Sequence, residues 1–322
     1  MPEPSPQPKR RGRLLRFGAA LVVLLSVAGY LAVQYLTGSA TPRCQVVSGK
    51  GDGASYQFTP EQAVNAATIS AVGTTRGLPE RAVTIALATA LQESGLRNIE
   101  HGDRDSLGLF QQRPSQGWGT EKQIMDPTYA ATVFYDHLAK VPDYTRLPLT
   151  VAAQRVQRSG FPEAYAKHEP DATLLAAALT GRSAAALTCQ GRPAPARSGG
   201  PDAVRAALVR DFGRDVLQTA GAEVGTHTSS PSPTDTDTAA AKPGAGALTI
   251  PVPRKSTASG TARERGWELA HWAVANSSAL HIARVSFAGR EWSRGGFADQ
   301  WRTTGDSGAQ DSADRVRIVT GE

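Results

Sequence analysis

The sequence predicts a mainly α-helical protein. Three observations carry that expectation: apolar residues recur at helical spacing between two distant cysteines, helix-start signals precede those runs, and Phe17–Leu36 is almost wholly apolar. The expected architecture is one transmembrane helix, an all-α domain, and a small C-terminal α+β module. With 20% charged and 40% hydrophobic residues in 322, a wholly disordered chain is excluded. The net charge is +6, but Lys9, Arg10, Arg11, Arg13 and Arg16 against Glu3 contribute +4 of it within residues 1–16. The rest of the chain is too nearly neutral for a basic groove, so no nucleic-acid partner is expected.

The N-terminal element is justified by length and charge. Twenty helical residues at about 1.5 Å each match the roughly 30 Å hydrocarbon core of a bilayer. The basic cluster precedes this stretch, which predicts a cytoplasmic tail at 1–16, a transmembrane anchor at 17–36, and a single-pass cell-membrane protein with its bulk outside. The cytoplasmic membrane is thus an expected partner. Secretion after signal-peptide cleavage near Gly38-Ser39-Ala40 is the alternative. Cys44 and Cys189 are the two cysteines, and an oxidising compartment permits their pairing across a loop of about 145 residues; two unrelated thiols are the alternative. Neither the cysteines nor the six histidines show metal-ligand spacing, and no cofactor-binding loop is visible, so neither metal nor cofactor is expected.

Helices follow in order between the cysteines. Thr59-Pro60-Glu61-Gln62 has capping-box form, and Ala63, Val64, Ala67, Thr68 and Ala71 continue it at helical spacing. A second helix starts at Pro79, with Val83, Ala86, Leu87, Ala90 and Leu91 as its apolar stripe, and ends near Gly95. Asp126-Pro127 opens a third over Thr128–Ala139; Leu149–Arg158 and Pro170–Ala178 suggest two more, with no competing strand pattern. The resulting domain spans 44–190. Residues 191–225 form a linker with a short helix over Pro201–Val216, and 226–247, which holds no large apolar group, reads as a disordered linker. The module at 248–322 combines a helix over Ala262–Ser277 with strands at Leu280–Phe287 and Arg315–Thr320. Its Trp267, Trp292 and Trp301 suit either a core or a wall-binding surface.

Chemistry concentrates in Ala86–Thr120. Glu93 continues the apolar side of the second helix just before Gly95 ends it, and a part-buried carboxylate there has its charged form disfavoured, as a general acid near neutral pH requires. Gln92-Glu93-Ser94-Gly95, followed by Ser106-Leu107-Gly108-Leu109-Phe110-Gln111 and then Asp126-Pro127, resembles the soluble lytic transglycosylases and their lysozyme-like relatives over roughly residues 60–180. Phe110 stands where that family has Met. The resemblance implies a lysozyme-like domain that cleaves the β-1,4 bond between N-acetylmuramic acid and N-acetylglucosamine in peptidoglycan glycan strands. Glu93 would protonate the leaving oxygen and then act as base toward the muramyl C6 hydroxyl, giving a 1,6-anhydro product.

By the same resemblance, Ser94, Gly108 and Gln111 are substrate-binding positions. Trp118 suits stacking on a sugar or core packing equally, and Gln157 is expected to face the cleft. Hydrolysis would need a second carboxylate, for which Asp103 and Asp105 are the candidates, although such loop aspartates commonly cap turns. The family's Ala-Tyr-Asn-Ala-Gly motif, whose Tyr lies near the acid, is absent. Val156-Gln157-Arg158-Ser159-Gly160 is the nearest match, which leaves Tyr129, Tyr135 and Tyr165 as possible substitutes. The competing function is a catalytically weak or inactive glycan-binding or scaffold protein of the cell envelope.

Overall fold

Local helix-start chemistry sets the first helix of the main body. The computed structural model describes residues 17, 19–30, 42–191, 200–218, 224–225, 246–252, 260–294, 300–304 and 314–321. In helix α2 (Pro60–Thr75) the Thr59 hydroxyl accepts from the Gln62 amide at 3.2 Å, and the Gln62 side chain accepts from the Thr59 amide at 2.7 Å. Two donors that the helix itself cannot satisfy are thereby paired. Helix α3 (Glu80–Ser94) lies against α2, and both are buried around most of their circumference. Their buried faces are rich in alanine, Ala63, Ala66, Ala67 and Ala71 on one and Ala82, Ala86, Ala88 and Ala90 on the other, which lets neighbouring elements approach closely. At Gly73 a Cβ would meet the Tyr135 hydroxyl at 2.7 Å, so α2 needs glycine where α5 (Pro127–Ala139) crosses it.

Around α3 pack α5, α6 (Leu149–Gln157), a 3-10 turn at Pro162–His168, and α7 (Glu169–Leu179). The short α4 (Glu121–Ile124) precedes α5, whose N-cap Asp126 accepts from the amides of Thr128 and Tyr129. The expectation of an all-α domain over 44–190 is corrected by a sheet. Strands β1 (Arg43–Val47), β2 (Ser55–Phe58) and β3 (Leu187–Gln190) pair antiparallel in the order β2-β1-β3. These strands are four or five residues long and flank the helical run, so helical periodicity dominated the sequence signal. Cys44 stands opposite Cys189 across β1 and β3, and the two form a disulfide.

A second correction concerns the C-terminal part, which holds a larger sheet than one strand and a closing strand suggest. Strands β4 (Val224–Gly225), β5 (Ala247–Pro251), β6 (Ile282–Phe287), β7 (Arg290–Ser293), β8 (Arg302–Thr303) and β9 (Arg315–Thr320) form one antiparallel sheet in the order β4-β5-β9-β6-β7-β8. Among the described residues about 51% are helical and 17% are in strands, too much sheet for an all-α reading. Of the linker expected at 226–247, residues 226–245 lie outside the described residues and Ala247 opens β5.

The C-terminal elements share one buried core with the helices. Helix α10 (Ala262–Ala275) packs against α2, α7, β3, β6 and β9. Trp267, Trp272, Trp292 and Trp301 are all buried, each apolar side chain of this size contributing roughly 1.5–3 kcal/mol or more. These tryptophans are core, not an exposed binding surface. Buried polar groups connect the layers: Asp211, near the end of α8 (Pro201–Phe212), accepts from Trp272 Nε1 at 2.8 Å and from the Thr68 hydroxyl at 3.2 Å. Glu268 accepts from the Thr74 hydroxyl and from Arg265 at 2.7 Å. The four-residue α9 (Asp215–Gln218) follows α8.

The N-terminal unit, Met1–Thr41, is described only in part. Of this unit, residues 17 and 19–30 are described, and they are helical, here helix α1. Among the described residues no helix is long and apolar enough to cross a membrane. The transmembrane anchor at 17–36 and the single-pass membrane location drawn from hydropathy are corrected on that ground. The tail at 1–16 and the cleavage signal at 38–40 lie outside the described residues.

Candidate active site

The end of α3 is held from several sides. Gly95 adopts the left-handed conformation, φ 63°, and its amide donates to the Leu91 carbonyl at 3.1 Å while Leu96 donates to Ala90 at 3.0 Å. This closure stops the helix one residue after Ser94. Carbonyls just beyond it are taken up by α2: Gln62 Nε2 donates to Gly95 O and Asn65 Nδ2 to Leu96 O, each at 2.8 Å. The Ser94 hydroxyl donates to the Leu109 carbonyl at 2.8 Å and so ties the following loop to the helix.

That loop is a tight turn in which Leu107 and Gln112 exchange backbone hydrogen bonds of 2.9 and 3.0 Å. Gly108 lies at φ 73°, and a Cβ there would sit 2.8 Å from the Ile124 carbonyl, so the turn seats on α4 only with glycine. Phe110 is buried and stacks on Phe134 at 4.5 Å.

Glu93 projects from this fixed helix end into a cleft of about 1040 Å³. The Tyr165 hydroxyl, from the 3-10 turn, donates to Glu93 Oε1 at 2.6 Å. Gln157, at the end of α6, lines the same cleft, and its Nε2 donates to the Phe110 carbonyl at 2.7 Å. Burial pushes the Glu93 carboxyl above the usual range, while the Tyr165 hydrogen bond and the nearby Gln157 amide pull the other way. Tyr165 in turn is raised, first by burial and then by the adjacent carboxylate, so it remains a donor.

Of the residues expected at the site, Glu93, Gln111, Trp118 and Gln157 line the cleft. Ser94 and Gly108 do not; both are buried and their contacts hold the loop. Trp118 is half-buried and meets His137 edge-on at 4.2 Å. Asp105 accepts from Arg113 Nε at 2.6 Å and from the Ser115 amide at 2.9 Å, and these bonds, Ser115 foremost, hold its carboxyl far below the usual range. It is a turn-capping anion. Asp103 lies on the cleft wall with its side chain 95% exposed and Arg104 Nε 4.0 Å away. Tyr135 donates to the Ile69 carbonyl in the core, and the Tyr129 ring packs against Gly119, which leaves Tyr165 as the tyrosine on the acid. Nothing local in the sequence distinguishes Tyr165, because it reaches Glu93 across 72 positions. Among the described residues no cluster of His, Cys, Asp and Glu could hold a metal.

The family described as VldE, C-terminal domain, matches residues 209–314. The match covers about a third of the chain, from the end of α8 to the start of β9, and includes none of the residues that line the cleft. No curated protein matches the chain.

Proposed function

We propose that the protein cleaves peptidoglycan glycan strands at the bond between N-acetylmuramic acid and N-acetylglucosamine, by a lytic transglycosylase route. The observation that carries the reading is Glu93, half-buried in an oligosaccharide-sized cleft, with its pKa raised by burial and its geometry held by Tyr165. The likeness of Gln92–Gly95 and Ser106–Gln111 to the lysozyme-like family supplies the substrate class.

In this mechanism the protonated Glu93 carboxyl gives its proton to the glycosidic oxygen as the C–O bond breaks. The resulting carboxylate keeps the hydrogen bond from Tyr165 while it accepts the proton of the muramyl C6 hydroxyl, whose oxygen closes on C1. Every step uses one carboxylate. Asp105 supports that economy because Arg113 and Ser115 already engage it, whereas a hydrolase of either stereochemistry would need a second carboxylate at about 5–5.5 or 6.5–9.5 Å. Tyr165 answers the missing Ala-Tyr-Asn motif, since a tyrosine from another element meets the acid, and this favours an enzyme over an inactive scaffold.

The test is to incubate the full chain with purified wall glycan and analyse the products by mass spectrometry. Anhydro-muropeptides are expected from the unmodified chain and none from Glu93→Gln. Binding without release would support the scaffold instead, and reducing-end products lacking the anhydro ring would mean hydrolysis.

A further inference from the structure

Cations outnumber anions on the cleft walls. Lys140 caps the C-terminus of α5, Arg155 lies in the last turn of α6, and Arg158 caps that helix with a left-handed φ of 53°. All three line the cleft that holds Glu93, and all three are exposed. Among the described residues none of them has a carboxylate within ion-pair distance. Arg113, by contrast, is neutralised by Asp105 at 2.6 Å.

Cations at helix C-termini are stabilised by the helix dipole. That accounts for each side chain singly. It does not account for two helix ends directing three unpaired cations into one concavity, an arrangement whose mutual repulsion is relieved when an anion enters. The ring of His137 reports the crowding: burial, then Lys140 and Arg158, disfavour its protonation against the pull of Asp136. Because His137 meets Trp118 edge-on, the positive wall adjoins the aromatic face suited to a sugar ring.

We infer that Lys140, Arg155 and Arg158 form a subsite for a carboxylate carried by the glycan strand, so that the cleft selects acidic glycans over neutral ones. This rests on the proposed function for its substrate class. Muramic acid offers two sources of such a group, its own lactyl carboxylate when no peptide is attached and the carboxylates of a peptide stem when one is.

Binding to the Glu93→Gln full chain tests the inference apart from turnover. The probes are stem-bearing glycan strands, stem-free strands with free lactyl carboxylates, and chitohexaose, which is neutral. Strands with carboxylates should bind at least 10-fold more tightly than chitohexaose at low salt, and the advantage should shrink as salt screens the subsite. Arg155→Gln and Lys140→Gln, each checked for an unchanged circular dichroism spectrum, should each weaken acidic-strand binding several-fold and leave chitohexaose binding unaltered. Preference for stem-free strands assigns the lactyl group; preference for stem-bearing strands assigns the stem. Equal affinity for all three probes, variants without effect, or tighter binding of a single-stranded oligonucleotide than of any glycan would overturn it. If the unmodified chain releases no product yet discriminates by charge, only the enzymatic reading fails; if it cleaves acidic and neutral strands alike, only this subsite does.

Discussion

His271 makes the seam between the C-terminal sheet and the helices sensitive to acid. Its ring on α10 is fully buried, with Nδ1 2.7 Å from the Ala178 carbonyl and Nε2 3.2 Å from the Ala186 amide nitrogen. Nδ1 therefore carries the hydrogen, and Nε2 must stay bare to accept from Ala186, which only the neutral ring can do. Burial pushes the pKa down from 6.5 to about 4, against a smaller opposing effect of the Ala178 hydrogen bond. Below pH 6.5 the unfolded chain takes up a proton that the folded one refuses until about pH 4, so stability falls as pH drops through that window. Those two pKa values imply a loss of about 2 kcal/mol by pH 5 and about 3 kcal/mol by pH 4 from this ring alone. Urea unfolding of the unmodified protein and of His271→Gln at pH 7.5 and pH 5.0, followed by circular dichroism, isolates the effect because the other titrating groups are shared. The unmodified protein should lose about 2 kcal/mol more than the variant between the two conditions. Identical pH dependences, or a His271 NMR titration near 6.5 in the folded state, would refute the reasoning.

Other predictions concern the cleft and the disulfide. Glu93→Gln should raise the thermal midpoint at pH 7: burial raises the native pKa of this carboxyl, so native stability falls as pH rises through that window, and glutamine removes the charge while still accepting from Tyr165. A lowered midpoint would count against the buried-acid assignment. Tyr165→Phe removes a hydrogen bond of a kind worth about 1.5–3 kcal/mol, so kcat should fall roughly 10- to 100-fold with little change in KM. The pH–rate profile should also move to higher pH, because Tyr165 holds Glu93 down; an unmoved profile would leave Tyr165 with a packing role only. Replacing both Cys44 and Cys189 by serine frees a 145-residue loop, and the chain-entropy relation predicts a loss of roughly 5 kcal/mol, measurable as a fall in the urea midpoint. Trp118→Ala should raise KM for glycan several-fold if the ring stacks on sugar, whereas a change confined to thermal stability would assign it to packing.

Much of the helical layer is legible locally. Thr59 and Gln62 meet within three residues, and Asp126 caps α5 through amides two and three positions on. These contacts depend on side chains close in sequence, so composition and spacing reveal them. Ser94 and Gly108 show the limit of that method. They are expected as sugar-binding positions from a resemblance alone, and the fold uses one to tie a loop and the other to admit the Ile124 carbonyl.

The amino-acid sequence by itself determined where α2, α3 and α5 begin, that Glu93 stands at a helix end, and which two thiols were available to pair. Only the tertiary structure decided that Tyr165 is the residue on the acid, that α10 and its tryptophans belong to the common core, and that Lys140, Arg155 and Arg158 converge. The division follows from range. Capping and termination are hydrogen bonds closed over a few residues, whereas packing partners lie tens to hundreds of positions apart and are selected by the burial of whole faces, which no short window of sequence contains.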